Sequence, residues 1–149
     1  MIKLIRTDSE NKNFIDLVKS LDADLKIRDG DDHDFYNQYN AIDTLNHVVV
    51  AYHNDEAVGC GAFKQMENDT VEIKRMYVNP NHRGKKIATK ILVGLELWVQ
   101  ESGFKKILLE TGTSMPEAIG LYKKCGYQVI ENYGQYIGID TSVCFSKQF

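Results

Sequence analysis

The chain has 149 residues, 43% apolar and 26% charged, which are the proportions of a folded protein rather than a disordered one. This length predicts one domain, residues 1–149, with a core of its own. The 18 basic and 21 acidic side chains give a formal charge of −3, which argues against a nucleic-acid partner. The longest apolar run, Val48 to Tyr52, is too short for a membrane helix or a signal segment.

The cysteines and histidines predict neither a disulfide framework nor a metal site. Cys60, Cys125 and Cys144 are odd in number and form no CxxC pair. The four histidines show no metal-ligand spacing. Reduced thiols are typical of a cytoplasmic protein, which is the location we expect.

The first half of the chain predicts a strand, two helices and a three-strand meander. Alternating residues predict a strand at 2–6, and helical spacing predicts a helix from Glu10 to about Ile27. After an acidic segment, aromatic residues at 35, 36 and 39 predict a short second helix. Three strand-like runs then follow, at His47–His53, Ala57–Gln65 and Thr70–Val78. The turn-forming pairs Asn54-Asp55 and Asn68-Asp69 separate them.

The second half alternates helices and strands. Apolar residues at helical spacing predict a long helix from Ile87 to Val99, and residues 106–110 predict a buried strand. Ser114-Met115-Pro116-Glu117 fits a capping box with proline in the first turn of a further helix. Residues 127–130 and 142–147 predict the closing strands. The order predicts a mixed α/β sandwich around one sheet.

The junction between Val78 and Ala88 predicts an anion site. A strand leads into a basic turn that contains Gly84 and opens the long helix. The first N–H groups of a helix lack internal partners and lie at the positive end of its dipole, so they can bind phosphate or pyrophosphate. Arg83, Lys85 and Lys86 add positive charge. The pattern is neither GxGxxG nor a P-loop, and a solvated helix start fits the turn alone equally well.

Three segments in order resemble the GCN5-related N-acetyltransferases, the GNAT family. Residues 83–88 (RGKKIA) are similar to the signature Q/R-x-x-G-x-G/A. Residues 72–78 (EIKRMYV) look like the fourth strand of the family, and residues 118–127 (AIGLYKKCGY) like its late A-I-x-L-Y-x-K-x-G-F/Y element. Together with the predicted element order, the resemblance covers nearly the whole chain.

The resemblance implies an α/β (α+β) fold of GNAT type. It has a single mixed, mostly antiparallel sheet of about seven strands, splayed between strands 4 and 5 and flanked by about four helices. It also implies an acyltransferase that moves an acetyl group from acetyl-CoA to a primary amine by direct attack in a ternary complex. Lys86 stands where the family usually has its second glycine, and Met115 where many members have an asparagine that contacts the pantetheine.

By the same resemblance, acetyl-CoA is the cosubstrate and no metal is needed. The pantetheine arm would run along the gap between strands 4 and 5 and pair with the backbone of Met76, Tyr77 and Val78. The pyrophosphate would be held by the N–H groups of the turn and helix start: Arg83, Gly84, Lys85, Lys86, Ile87 and Ala88.

The resemblance also implies two catalytic residues. Glu72 lies where several family members carry a glutamate that takes a proton from the amine through water, with Glu110 as a rival for that role. Tyr122 matches the family tyrosine that protonates the coenzyme thiolate. From the residues alone, Glu72 also fits a solvent-facing strand position and Tyr122 a core aromatic.

The acceptor is expected to be a small molecule that carries an amine. The family builds its acceptor pocket from the first two helices and late loops, so Asp34, Phe35 and Tyr36 are predicted to receive a cationic amine, with Tyr133 on the other wall. Two other functions stay open: a catalytically silent acyl-CoA-binding or sensor module, and a protein N-terminal or lysine acetyltransferase. A homodimer is compatible with the sequence but not required by it.

Overall fold

The computed structural model describes residues 1–29 and 44–149, so the helix predicted at 35–39 lies outside the described residues. The described part contains three α-helices: α1 (Lys12–Asp29), α2 (Ile87–Glu101) and α3 (Pro116–Lys124). Short 3-10 turns cover Pro80–His82 and Gly134–Tyr136. The strands are β1 (Ile2–Thr7), β2 (His47–His53), β3 (Glu56–Glu67), β4 (Thr70–Val78), β5 (Lys106–Gly112), β6 (Gln128–Ile130) and β7 (Ser142–Gln148).

All seven strands form one sheet in the order β1-β2-β3-β4-β5-β7-β6. Every neighbouring pair is antiparallel except β4 and β5, which run parallel. Asn54 and Asp55 take φ angles of 49° and 72°, the left-handed values that a tight hairpin turn requires. The predicted meander and the mixed seven-strand sheet are confirmed.

Helices cover both faces of the sheet, which creates two separate cores. On one face α1 places Phe14, Leu17 and Val18 against the sheet. On the other face, α2 and Tyr122 of α3 pack against the strands. The buried residues that α2 contributes to this core are Ile87, Ile91, Leu92, Leu95 and Val99. In the described part of the chain, no helix is long and apolar enough to cross a membrane.

The sheet opens between β4 and β5. Their parallel pairing covers only three residues on each strand, from Thr70 opposite Lys106 to Glu72 opposite Leu108. Beyond Glu72 the two strands diverge, as the resemblance implied. The divergence leaves one edge of β4 facing a gap, and this gap positions the candidate site.

A β-bulge lies beside the gap. Arg75 and Met76 of β4 together oppose the single residue Gly61 of β3, and Arg75 takes a φ of 61°. A Cβ atom on Gly61 would lie 2.6 Å from the sulfur of Met76 and 2.8 Å from Leu95 Cδ1. Glycine at position 61 therefore makes room for the bulged strand and for α2 behind it.

One helix start is capped by a side chain, and the cap predicted for another helix is wrong. The side-chain oxygen of Asn11 accepts a hydrogen bond from the Phe14 N–H at 3.0 Å, which caps α1. The capping box predicted at Ser114 is not formed: the residue before α3 is Met115, and no side chain caps it. Glu117 instead pairs with Arg28 at the end of α1, because that arrangement joins two helices across the mouth of the gap.

Candidate active site

Two adjoining cavities occupy the gap between β4 and β5. The larger, about 290 Å³, runs from the end of β4 to the turn before α2. The smaller, about 120 Å³, lies toward α1 and the start of the gap. The residues that line both cavities are Leu21, Met76, Met115, Ala118 and Tyr122.

The start of α2 presents free backbone amides to the larger cavity. The first intrahelical bond runs from the Lys90 N–H to the Lys86 oxygen at 3.1 Å, and no side chain caps the helix. The N–H groups of Ile87, Ala88 and Thr89 therefore have no acceptor within the helix, and all three residues line the cavity. Such a terminus suits a phosphate group.

The turn before α2 holds two residues in the left-handed conformation. Gly84 has a φ of 82°, and Lys86 has a φ of 62° and ψ of 23°. Lysine therefore keeps the backbone shape that a glycine would adopt easily, at a conformational cost. Both residues line the larger cavity, whereas Lys85 is exposed outside its lining.

The side chain of Arg83 folds back over the end of β4. Its Nε donates to the Val78 oxygen at 3.0 Å, and its guanidinium carbon lies 5.8 Å from the ring centre of Tyr77. Its Nη2 lies 3.9 Å from Oδ2 of Asp24 on α1. Arg83 and Asp24 both line the larger cavity, so a carboxylate holds this arginine beside the predicted phosphate position.

Glu72 lines the smaller cavity where β4 and β5 begin to part. Its side chain is buried, and Oε2 accepts a hydrogen bond from the hydroxyl of Tyr133. Oε1 lies 3.6 Å from the Lys74 ammonium. Burial, together with Glu72, raises the pKa of Tyr133 well above its usual value, so the phenol keeps its proton.

Tyr122 is buried where the two cavities meet. Its ring packs against Tyr127 and Phe145, with centroid distances of 5.8 and 5.7 Å. Burial raises the pKa of its hydroxyl, and the negative charge of Glu110 raises it further. The hydroxyl is therefore a protonated donor at neutral pH. The tyrosine is both a core aromatic and a residue of the cavity wall.

The structure brings most of the predicted residues to the gap, with three differences, of which the exposed position of Lys85 outside both linings is the first. Asp34, Phe35 and Tyr36 lie outside the described residues. Tyr133 contacts Glu72 rather than lining the smaller cavity, and Tyr136, three residues later, forms part of the wall. No group of three or more His, Cys, Asp or Glu side chains within residues 1–29 and 44–149 could hold a metal ion.

Several residues of the two linings had not been singled out from the sequence. Leu21, Leu25 and Asp24 reach the gap from α1, and Arg75 reaches it through the bulge in β4. The helical spacing of Leu21 and Leu25 indicated a buried face but did not tell which part of that face covers a cavity. The position of Arg75 depends on the bulge, which has no sequence signal of its own.

The family comparison matches most of the chain. The sequence model of the acetyltransferase (GNAT) family matches residues 14–127. An uncharacterised N-acetyltransferase of Bacillus subtilis, YsnE, is 32% identical over 100 residues, 66% of either chain. An IAA acetyltransferase of Azospirillum brasilense is 36% identical over 89 residues, 59% of this chain and 58% of its own. Across the curated relatives that match, the matched segments span from 40%, in a probable N-acetyltransferase 14 of Xenopus tropicalis, to 66% of the relative's length.

Solved structures show the same fold. A candidate acyl-CoA N-acyltransferase of Klebsiella pneumoniae superposes with a TM-score of 0.83 at 28% identity, over 99% of this chain and 97% of that chain. A GNAT acetyltransferase of Elizabethkingia anophelis, solved with acetyl-CoA bound, gives a TM-score of 0.71 at 19% identity, over 99% and 98% of the two chains. With the family match over residues 14–127 and the parted β4 and β5 strands, the chain belongs to the GNAT acetyltransferase family.

Proposed function

We propose that the chain transfers an acetyl group from acetyl-CoA to a primary amine on a small molecule, by direct attack in a ternary complex. The observation that carries this proposal is the meeting of two chemically different cavities at Met76 and Tyr122. The larger presents free helix amides with Arg83 and Lys86, which suit phosphates, and its lining also carries two carboxylates. The smaller presents the carboxylates of Glu72 and Glu110, which suit an ammonium group, beside two cations of β4. The described linings include no cysteine, which favours direct transfer over an acyl-enzyme.

The larger cavity fits the coenzyme by its shape and by its donors. The free amides of Ile87, Ala88 and Thr89, with the cations Arg83, Lys85 and Lys86 around the turn, would hold the pyrophosphate. The pantetheine would run past the backbone of Met76, Tyr77 and Val78. The Val78 oxygen already accepts a hydrogen bond from Arg83, so the arm would share that oxygen with Arg83 or displace it.

We assign the removal of the amine proton to Glu72. An alkylammonium has a pKa near 10.4 and is not a nucleophile until it loses a proton. The Glu72 carboxylate is buried at the start of the gap and is fixed by the Tyr133 hydroxyl, so it can accept that proton directly or through one water. The neutral amine then attacks the thioester carbonyl carbon, forming the C–N bond.

We assign proton donation to Tyr122. Collapse of the tetrahedral intermediate breaks the C–S bond and releases a thiolate, which accepts the proton of a nearby donor. The raised pKa of Tyr122 keeps its hydroxyl protonated at neutral pH, and its position in the lining of both cavities supports this role. The net reaction converts an ammonium ion and acetyl-CoA into an amide, free CoA thiol and one proton.

The assignment of a small acceptor draws on the smaller cavity and on the relatives. The described walls enclose only about 120 Å³, which suits a small amine better than a folded protein segment. One relative is named IAA acetyltransferase and another, from Escherichia coli, streptothricin acetyltransferase. These names differ in their acceptor, so the acceptor of this chain has to be argued from its own residues.

Two measurements test the proposal. Titration calorimetry with acetyl-CoA should show saturable binding at micromolar to millimolar concentration, and a thiol-release assay over amines and peptides should show acceptor-dependent turnover. No binding of acetyl-CoA at millimolar concentration would contradict the proposal. Tight binding without thiol release across the panel would identify a silent acyl-CoA-binding module instead. Turnover confined to peptides would identify a protein acetyltransferase.

A further inference from the structure

The smaller cavity is lined by charged side chains of both signs. Glu72 of β4 and Glu110 of β5 supply two carboxylates, and Lys74 and Arg75 of β4 supply two cations. The four formal charges of the described lining therefore sum to zero. The two cations follow Glu72 by two and three residues along β4, and the Lys74 ammonium lies 3.6 Å from Oε1 of Glu72.

The bulge in β4 is what brings Arg75 to this cavity. In a regular strand residue 75 would lie on the same face as Ile73, which packs in the core beneath α2. The extra residue and the φ of 61° at Arg75 turn its side chain to the α1 face instead. There the guanidinium donates to Oδ1 of Asp22 on α1 at 2.9 Å. The chain thus uses an uncommon backbone conformation to turn the side chain of Arg75, a residue that lines the smaller cavity, toward α1.

The guanidinium of Arg75 retains capacity for an anionic ligand. Its side chain is only 4% exposed, whereas that of its partner Asp22 is 37% exposed. An arginine carries five N–H donors in a planar fork that matches a carboxylate, and the bond to Asp22 uses one of them. A buried cation is stabilised when more of its donors are paired, so a second carboxylate from the cavity side is favourable.

We propose that the acceptor is a zwitterion, an α-amino acid or a similar small amine that carries its own carboxylate, and that Arg75 binds this carboxylate while Glu72 and Glu110 receive the ammonium group. The proposal rests on the transfer reaction proposed above and adds the class of acceptor. A zwitterion matches both signs of charge in the lining. A purely cationic acceptor would be repelled by Lys74 and Arg75, and a purely anionic one would be repelled by the two carboxylates.

The test compares each of the twenty α-amino acids with its carboxamide and with the amine left after its decarboxylation. Thiol release is measured at saturating acetyl-CoA. For the preferred side chain, kcat/KM should be about 10- to 100-fold higher for the acid than for either analogue, the range of a hydrogen bond to a charged group. A carboxamide makes the neighbouring amine easier to deprotonate, so a preference for the acid cannot come from amine basicity.

Variants connect this preference to Arg75. Arg75→Met should remove the advantage of the acid, chiefly through KM, while calorimetric binding of acetyl-CoA is retained. Arg75→Lys keeps the charge without the fork and should restore part of the preference, which also covers the case in which the methionine variant does not fold. Arg6→Gln is the matched control: Arg6 pairs with Glu101 on the surface, outside both linings, and its loss should leave the preference intact.

The outcomes separate this proposal from the reaction on which it rests. Turnover of decarboxylated amines or carboxamides as fast as the acids, by the unaltered chain, overturns the zwitterion proposal and leaves acetyl transfer standing. An undiminished preference for the acid in Arg75→Met also overturns it. Failure of acetyl-CoA to bind overturns the transfer reaction and this proposal with it.

Discussion

The hydroxyl of Tyr133 donates a hydrogen bond to Oε2 of Glu72 across a sequence separation of 61 residues. The loop that carries Tyr133 is held in place, because the side-chain amide of Asn132 donates to the Tyr136 oxygen at 3.0 Å and to the Ile139 oxygen at 2.9 Å. Glu72 is thus oriented by a fixed donor rather than by its own strand alone. If Glu72 accepts the amine proton, Tyr133 is a positioning residue for that step.

Tyr133→Phe should lower kcat/KM for the acceptor by about tenfold to a hundredfold, the range expected for a lost hydrogen bond to a charged group. Thiol release at saturating acetyl-CoA measures the effect. Tyr52→Phe provides the matched control, because the Tyr52 hydroxyl accepts an exposed hydrogen bond from Asn13, outside both cavity linings. Equal rates in the two variants would show that the contact between Tyr133 and Glu72 does not serve the reaction.

Tyr122→Phe should lower kcat by about 10²- to 10⁴-fold if the hydroxyl donates a proton to the departing thiolate. The phenylalanine ring keeps the packing against Tyr127 and Phe145, so the fold and acetyl-CoA binding should persist. Near-UV circular dichroism and calorimetry check those two properties. Turnover at the rate of the unaltered chain would leave Tyr122 with a packing role only.

Asp24→Asn should strengthen acetyl-CoA binding by a few-fold. Asp24 lines the cavity proposed for the anionic coenzyme and lies 3.9 Å from Arg83 and 3.5 Å from Arg28. Removal of its charge lessens repulsion of phosphates and releases Arg83 toward them, an effect that should shrink as salt is raised. Asp16→Asn, with the same charge change on the exposed face of α1, is the control. Weaker binding in Asp24→Asn would mean that Asp24 supports the coenzyme rather than opposing it.

The free energy of unfolding should fall as the pH rises above about 9. Burial raises the pKa of Cys60 to about 12 and of Cys144 to about 11, and it raises those of Tyr122, Tyr127 and Tyr136 as well. The unfolded chain gives up these protons first, near its ordinary values of 9 and 10, so the stabilisation present below that range is lost as the pH rises toward the folded values.

Urea unfolding at pH 7.5, 9 and 10.5 measures this loss, up to about 1.4 kcal/mol per pH unit for each group that titrates only in the unfolded state. Cys60→Ala removes one buried thiol and should make the decline shallower, although the variant starts from a lower stability. A free energy of unfolding that stays level to pH 10.5 would contradict the assignment of these groups as buried acids.

Local patterns predicted the regular elements well. The bounds of β2 and β4 agree with the predicted ones, and α2 begins at the predicted Ile87, because apolar periodicity and turn residues are local signals. The turn before α2 was found for the same reason: glycine and clustered basic residues stand together in the sequence. The resemblance supplied the parting of β4 and β5, which no local pattern encodes.

What the sequence did not reveal depends on contacts between distant segments. Nothing around Arg75 marks a bulge, and the residue opposite it that leaves room for the bulged strand, Gly61, lies on the neighbouring strand. The capping box at Ser114 is not formed because the helix begins at Pro116, one residue later than the box requires, and Glu117 pairs with Arg28, 89 residues away. Such choices follow from the tertiary structure rather than from propensity.

Lys86→Gly should stabilise the chain by about 0.5–1 kcal/mol, because residue 86 has a φ of 62°, a conformation that costs a lysine energy and a glycine little. Thermal or urea unfolding measures the change.

Lys85→Gly is the matched control: it removes the same charge from the neighbouring exposed position, whose φ is not positive, and should be neutral or destabilising. The backbone N–H groups at the start of α2 are unaltered in Lys86→Gly, so acetyl-CoA should still bind, with a loss limited to the one cation. Destabilisation by Lys86→Gly equal to that by Lys85→Gly would show that the left-handed lysine carries no strain.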